Sequence, residues 1–222
     1  MKNKNYQISI DGPAGSGKST IAKLLARKLR FLYLDSGAMY RAVTLYLIEK
    51  NLLNKSEKII SSHLKKIKIN FKESRNSQAV TLNNKDVSKT IRSSAVNKNV
   101  SKVSSKKNIR QEMVKRQKEI AENRSIVMDG RDIGTTVLPD ASLKIYLTAS
   151  PYIRAVRRKK DLAKLKEQVS IKELIKQIQR RDNIDSSRAI SPLSKAHDAI
   201  VIDSTDLTIA GILKQINSFL PI

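Results

Sequence analysis

Apolar and polar residues change rhythm several times along the chain, and each rhythm predicts an element. Tyr6-Gln7-Ile8-Ser9-Ile10-Asp11 alternates as a short strand does, and Ile21, Leu24, Leu25 and Leu29 then recur at the spacing of one helix face. Phe31-Leu32-Tyr33-Leu34-Asp35 is a nearly continuous apolar strand of the buried parallel type. A helix from Ser36 to about Lys50 has Met39, Val43, Tyr46 and Leu47 on one face, and another from Glu57 to about Lys66 carries Ile59, Ile60 and Leu64. Ile67 to Phe71 and Ala79 to Leu82 alternate strictly about a polar loop and predict an antiparallel hairpin. Asn83-Asn84 then signals a turn, and Val87 with Ile91 predicts a third short strand or edge segment.

Helical spacing resumes over Ala95 to Val103 and Lys107 to Asn123, the latter with Ile109, Met113, Val114 and Ile120 on a face. Ser125 to Asp129 and Leu143 to Leu147 read as further buried strands, and Pro151 suits the first turn of the helix that follows. After a linker near Lys166 to Ser170, a helix is expected from Ile171 to about Asp182, then a charged, loop-like stretch from Arg180 to Arg188. Ala199 to Asp203 is the fifth strand of parallel type, and Ile209 to Phe219 the last helix. Strands alternating with helices predict an α/β fold with a parallel sheet and right-handed crossovers. Ligands of such sheets sit at the carboxyl ends of the strands, where Asp11-Gly12, Asp35-Ser36, Asp129-Gly130 and Asp203-Ser204 all fall.

The first of those ends carries the most specific local pattern. Gly12-Pro13-Ala14-Gly15-Ser16-Gly17-Lys18-Ser19-Thr20 fits G-x-x-x-x-G-K-[ST], the phosphate-binding P-loop, with a strand before it and a helix after it. Glycines let backbone N–H groups turn inward around a polyphosphate, and the helix dipole adds partial positive charge. Lys18 is expected to reach the β- and γ-phosphates of ATP, and the Ser19 hydroxyl to be placed for Mg²⁺.

Composition narrows the class. With 222 residues there is room for one α/β domain carrying an insertion, and no apolar run is long enough to span a membrane. Met1 to Asn5 is basic, but the apolar stretch after it is too short for a signal peptide. The absence of cysteine excludes disulfides and thiolate metal sites and leads us to expect a cytoplasmic protein. A net charge of +24 raises the question of nucleic acid. Yet the 29 lysines and 15 arginines are scattered along helix faces, and aromatics at 4% offer little for base stacking. A solvated basic surface with no specific nucleic-acid partner is therefore expected.

Three further motifs follow the P-loop in order. They are Asp35-Ser36-Gly37-Ala38-Met39-Tyr40-Arg41, Asp129-Gly130-Arg131-Asp132-Ile133-Gly134, and Arg181 through Arg188-Ala189-Ile190-Ser191-Pro192-Leu193. Together they resemble bacterial cytidylate kinase, from about Tyr6 to Leu213. The resemblance implies a P-loop nucleoside monophosphate kinase fold: a five-stranded parallel sheet flanked by helices, with a small antiparallel β insertion and a helical lid. It implies one kinase domain over 1–222, its core at about 1–62, 93–150 and 189–222, the monophosphate-binding insertion at about 63–92 and the lid at about 151–188. The reaction implied is phosphoryl transfer from ATP to CMP or dCMP, in pyrimidine nucleotide metabolism, by a monomer.

By the same resemblance Arg41, Arg131 and Arg188 hold the CMP phosphate, and guanidinium forks suit phosphate oxygens better than lysine does. Ser101, Arg110 and Asp132 would read cytosine, Arg181 and Asp185 the sugar, and Ser36 would belong to the monophosphate pocket. Arg157 and Arg158 would close on the ATP phosphates, and Asp129 would anchor Mg²⁺ indirectly. The one departure is Ser19, where some members carry Gly. The nucleophile would be an already anionic phosphate oxygen, so no general base is needed, and His63 and His197 stand outside every motif. An adenylate or shikimate kinase shares the phosphate chemistry, but the β insertion and Asp132 weigh against both. A guanine-specific N-K-x-D motif is missing, since Asn84-Lys85-Asp86 and Asn97-Lys98-Asn99 are both followed by Val.

Overall fold

Every second residue of the first strand is buried against helices, and this strand sits at the centre of the main sheet. The computed structural model describes residues 5–73, 78–163 and 168–220. The tip of the expected hairpin loop, the start of the expected linker near Lys166 and the first four residues lie outside these. Strand β1 (Gln7–Asp11) leads through the P-loop into α1 (Lys18–Leu29), β2 (Leu32–Asp35), α2 (Ser36–Glu49) and α3 (Glu57–Leu64). A three-stranded antiparallel sheet follows, made of β3 (Ile69–Glu73), β4 (Gln78–Leu82) and β5 (Lys85–Asp86). The chain continues through α4 (Ser94–Ser104), α5 (Lys107–Ala121), β6 (Ile126–Gly130), β7 (Leu143–Thr148), α6 (Pro151–Ala163), α7 (Ile171–Ser187), β8 (Ile200–Asp203) and α8 (Ile209–Asn217). The parallel sheet runs β2-β6-β1-β7-β8.

The chain forms two compact units, Met1–Leu34 with Ile120–Ile222, and Asp35–Glu119. In the first, Ile8, Ile10, Val127, Ile145 and Leu147 share a core with Ile21, Ala22, Leu25 and Ala26 of α1 and with Ile212 and Ile216 of α8. The opposite face of the same strands is mixed: Ser9 lies between Met128 and Lys144 in register, all three buried, and Lys144 Nζ donates to both oxygens of Asp198 at 2.8 and 3.0 Å. In the second unit α2 is buried almost all round, with ten of its fourteen residues inside, and it packs on α4 and on the turn Thr90–Arg92.

Several expectations need correction. Leu24 and Ile59 are exposed; alanines at 22 and 26, not Leu24, complete the buried face of α1. Phe31 stays outside β2, and α8 ends at Asn217, leaving Phe219 exposed. The third strand of the insertion is Lys85–Asp86, and Val87 follows it while Ile91 sits in the Thr90–Arg92 turn. Asn83 and Asn84 both have positive φ, 48° and 70°, as a tight two-residue hairpin turn requires. The largest correction is the stretch from Arg180 to Ser187, which is helical and completes α7. Its buried stripe runs Leu174, Ile178, Asp185, so a paired carboxylate occupies the position where apolar periodicity would need a leucine.

Candidate active site

The P-loop is shaped by its glycines and held by side chains from distant parts of the first unit. Gly12 has φ 147°, and a Cβ there would lie 2.1 Å from the carbonyl oxygen of Leu147, so only glycine fits. Gly17 has φ 94° and forms the left-handed N-cap of α1. Lys18 Nζ donates to the Pro13 carbonyl at 2.7 Å and to Ser16 Oγ at 3.3 Å. Its burial, reinforced by Arg131, pushes its pKa well below the usual lysine value, against the pull of Asp129 and Asp11.

Strand β6 delivers the next set. Asp129 accepts from Ser19 Oγ at 2.7 Å and from the Tyr33 hydroxyl at 2.8 Å. The turn after it is fixed by Asp11 at the end of β1, whose carboxylate accepts from the backbone N–H of Ile133 at 2.9 Å and of Gly134 at 2.7 Å. Burial raises the Asp11 pKa to about 6, these two bonds working in the other direction. Asp11 thereby holds the turn that bears Arg131 and Asp132, a task that its place at a strand end hinted at but no motif assigned.

Around Asp185 of α7 three arginines gather. Arg131 Nε donates to Asp185 at 3.0 Å, Arg188 approaches it at 3.6 Å and Arg181 at 3.9 Å. Burial would raise the Asp185 pKa, but Arg131, Arg181 and Arg188 outweigh it and hold the carboxyl below the usual range. Burial likewise opposes the charge of Arg131, and Asp185 with Asp182 more than offsets it. Arg181 falls to about 10 through burial and the repulsion of Arg131. Arg188 also donates to the Ser191 carbonyl at 2.6 Å and to Asp132 at 3.4 Å, and Asp132 is buried. Lys18, Arg131, Asp132, Arg181, Asp185 and Arg188 therefore form one connected group of charges, with the Ser19–Asp129 pair at its edge.

Arg158 is half-buried and close enough to Arg181 to repel it; no carboxylate among the described residues pairs with Arg158. Arg157 bonds Ser204 through both its side chain and its carbonyl, at 2.9 and 2.7 Å, and reaches the Ser16 carbonyl at 3.2 Å. Sequence reasoning missed Arg154 and Asp182 altogether. Arg154 Nη1 donates to the Ala14 carbonyl at 3.0 Å and to Asp182, while Asp182 accepts the Ala14 N–H at 2.9 Å. Arg154 reads as an exposed helix charge, and Asp182 falls inside the motif from Arg181 to Arg188 with no role assigned to it.

The other expected residues lie in the second unit. Asp35 caps α2 by accepting the Ala38 N–H at 2.9 Å, and Ser36 in its first turn is buried. Arg41 donates to Asn97 and to the Ile91 carbonyl. Arg110 is buried with its guanidinium 5.2 Å from the Tyr40 ring centre and donates to the Ser104 carbonyl at 3.2 Å; Ser101, also buried, lies one helical turn before Ser104. His63 bonds the Tyr46 hydroxyl at 3.0 Å and His197 is exposed, so neither joins these groups.

A parallel sheet whose first strand runs through a glycine-shaped loop into a helix headed by Lys18, with three arginines beside it, defines a P-loop phosphotransferase. Shikimate kinase from Acinetobacter baumannii, solved in complex with shikimate, shares this fold with a TM-score of 0.51 at 15% identity, over 96% of this chain and 91% of that one. The sequence goes further. The family model for cytidylate kinase matches residues 8–220. Cytidylate kinase of Limosilactobacillus reuteri is 47% identical over 98% of this chain and 96% of that protein, and that of Oceanobacillus iheyensis 49% identical over 94% and 91%. Cytidylate kinase of Fusobacterium nucleatum is 46% identical over 96% of both. The chain belongs to the cytidylate kinase family.

Proposed function

We propose that this enzyme transfers the γ-phosphoryl group of ATP to CMP or dCMP, and that the arginine cluster around Asp185 receives the acceptor phosphate. The cluster carries the reading: Arg131, Arg181 and Arg188 converge on one carboxylate, and Arg131 and Arg181 stand close enough to Lys18 to repel its charge. The acceptor phosphate is already anionic near neutral pH, so the protein's task is to position two polyanions and neutralise their charge. Lys18, freed from the Pro13 carbonyl, serves the β- and γ-phosphates, with Arg158 as a further cation. Arg131 and Arg188 exchange part of their pairing with Asp185 for phosphate oxygens, which leaves Asp185 and Arg181 for the sugar. Asp132, steadied by Arg188, accepts the exocyclic amine of cytosine. The resemblance in sequence also assigns Ser36, Arg41, Ser101 and Arg110 to CMP.

Oxygen donors suit a hard divalent cation, and the Ser19 hydroxyl lies on a carboxylate oxygen of Asp129, so the residues fit Mg²⁺. Among the described residues no group of three or more carboxylates or imidazoles could cage a metal. Ser19 and, through water, Asp129 would hold the ion together with the nucleotide's own oxygens. Bound there, it would supply charge neutralisation on the transferred phosphates.

The reading extends to the residue ranges. Residues at about 63–92 form the monophosphate-binding insertion and those at about 151–188 the lid, of which 164–167 lie outside the described residues. No helix among the described residues is long and apolar enough to cross a membrane. We place the enzyme in the cytoplasm as a monomer, without a specific nucleic-acid partner. ADP release measured with AMP, GMP, CMP, dCMP and UMP as acceptors tests the whole. CMP and dCMP should dominate, and comparable rates with a purine monophosphate would overturn the acceptor assignment.

A further inference from the structure

The P-loop is gripped from outside, peptide by peptide. Asp182 takes the N–H of Ala14 at 2.9 Å and Arg154 its carbonyl at 3.0 Å, so both polar groups of one residue are engaged. Three residues further along α6, Arg157 takes the Ser16 carbonyl at 3.2 Å, and the hydroxyl of Ser204 reaches the same oxygen at 3.2 Å. Arg154 Nε is fixed in turn on the Ala149 carbonyl at 3.0 Å. Between these anchors lies Gly15, where a Cβ would come within 3.0 Å of the Arg154 carbonyl oxygen and 3.2 Å of its Cβ; α6 packs directly on the loop. Turning the carbonyls of Ala14 and Ser16 toward α6 is what leaves the N–H groups of Gly15 and Gly17 to face an anion, because the C=O and N–H of one trans peptide point in opposite directions.

We infer that Arg154 and Asp182 are positioning residues that set the P-loop's peptide orientation for the donor nucleotide, and that Asp182 transmits the placement of α7 to it. Asp182 lies one residue from Arg181 and three from Asp185, so a single helix bears both the acceptor cluster and the contact that shapes the donor loop. Arg154 and Asp182 are themselves mostly buried, with side chains 7% and 17% exposed, and pair with each other, so neither is free to bind phosphate. This rests on the P-loop being the ATP cradle, as proposed above.

The test compares wild type with Asp182→Ala and the isosteric Asp182→Asn. Three readouts are needed: calorimetric Kd for ATP without acceptor, calorimetric Kd for CMP alone, and hydrogen exchange of the Ala14 amide by NMR. A lost hydrogen bond to a charged acceptor predicts weaker ATP binding on the order of tenfold in Asp182→Ala. CMP affinity should change by less than about threefold, and the Ala14 amide should lose its protection. Asp182→Asn keeps an acceptor for that amide but not the charge opposite Arg154. It should fall between the two, and it decides the matter if Asp182→Ala fails to fold. ATP affinity within about twofold of wild type, or equal weakening of ATP and CMP, would overturn the inference. Wild type that binds no ATP would instead overturn the donor-site reading beneath it.

Discussion

Replacing Asp185 with asparagine keeps the shape of the side chain and removes the negative charge on which three guanidiniums converge. Asp185 is 3% exposed, and Arg131, Arg188 and Arg181 stand 3.0, 3.6 and 3.9 Å from it. Removing one partner of a buried pair strands the other charge, at about 3–5 kcal/mol. Because Arg131 and Arg181 keep 18% and 28% side-chain exposure, water relieves part of this, and the low end, about 3 kcal/mol, applies. For a chain of this size 1 kcal/mol shifts Tm by about 2–4 °C, so Asp185→Asn should melt about 6–12 °C lower. Circular dichroism of the nucleotide-free protein measures it. Two further arms isolate the charge. Added phosphate should restore more stability to the variant than to wild type, since an anion can replace the missing carboxylate. The folded pKa of Asp185 is depressed, so its stabilisation is complete above the unfolded value of about 4 and is lost as pH falls through the folded one. The gap between the two proteins should therefore close in acid. A Tm loss under about 2 °C, or a large loss that neither phosphate nor acid changes, would refute the argument.

Lys18→Ala should lower kcat by several orders of magnitude in a protein with unchanged circular dichroism, because stabilisation here is mainly electrostatic; near-normal turnover would sink the P-loop assignment. Asp132→Ala should lower kcat/KM for CMP far more than for UMP, and a CMP to UMP ratio that survives would show that Asp132 does not read the base. Asp11, with its pKa raised to about 6, binds protons in the folded state that the unfolded chain releases, so its contribution to stability falls as pH rises from about 4 to 6. Urea denaturation should accordingly show wild type losing ground to Asp11→Asn between pH 4.5 and 7, and a pH-independent difference would contradict this.

Where apolar periodicity and backbone chemistry carry the information, the sequence was readable. The five parallel strands, the β insertion with its Asn83-Asn84 turn and the glycine-shaped P-loop all follow from local pattern. The second half of α7 did not, because the buried position at 185 is filled by a carboxylate stabilised through arginines far away in sequence. The grip on the P-loop was invisible for a related reason. Asp182 and Arg154 have the composition of a solvated helix face, and only folding reveals that each meets a peptide of a loop more than a hundred residues earlier.

Those separations bear on how the protein comes off the ribosome. The loop at residues 12–20 is made long before its outer contacts Arg154, Asp182 and Ser204, at separations of 140, 168 and 188 residues. Its strand, β1, also waits for both neighbours, β6 and β7. A nascent chain emerged up to about residue 150 holds both of these strands but none of the three outer contacts, and contacts this distant are slow to form. The loop is made well ahead of the residues that complete it, so a product truncated before them would carry the most recognisable motif of the enzyme without the loop geometry that motif denotes.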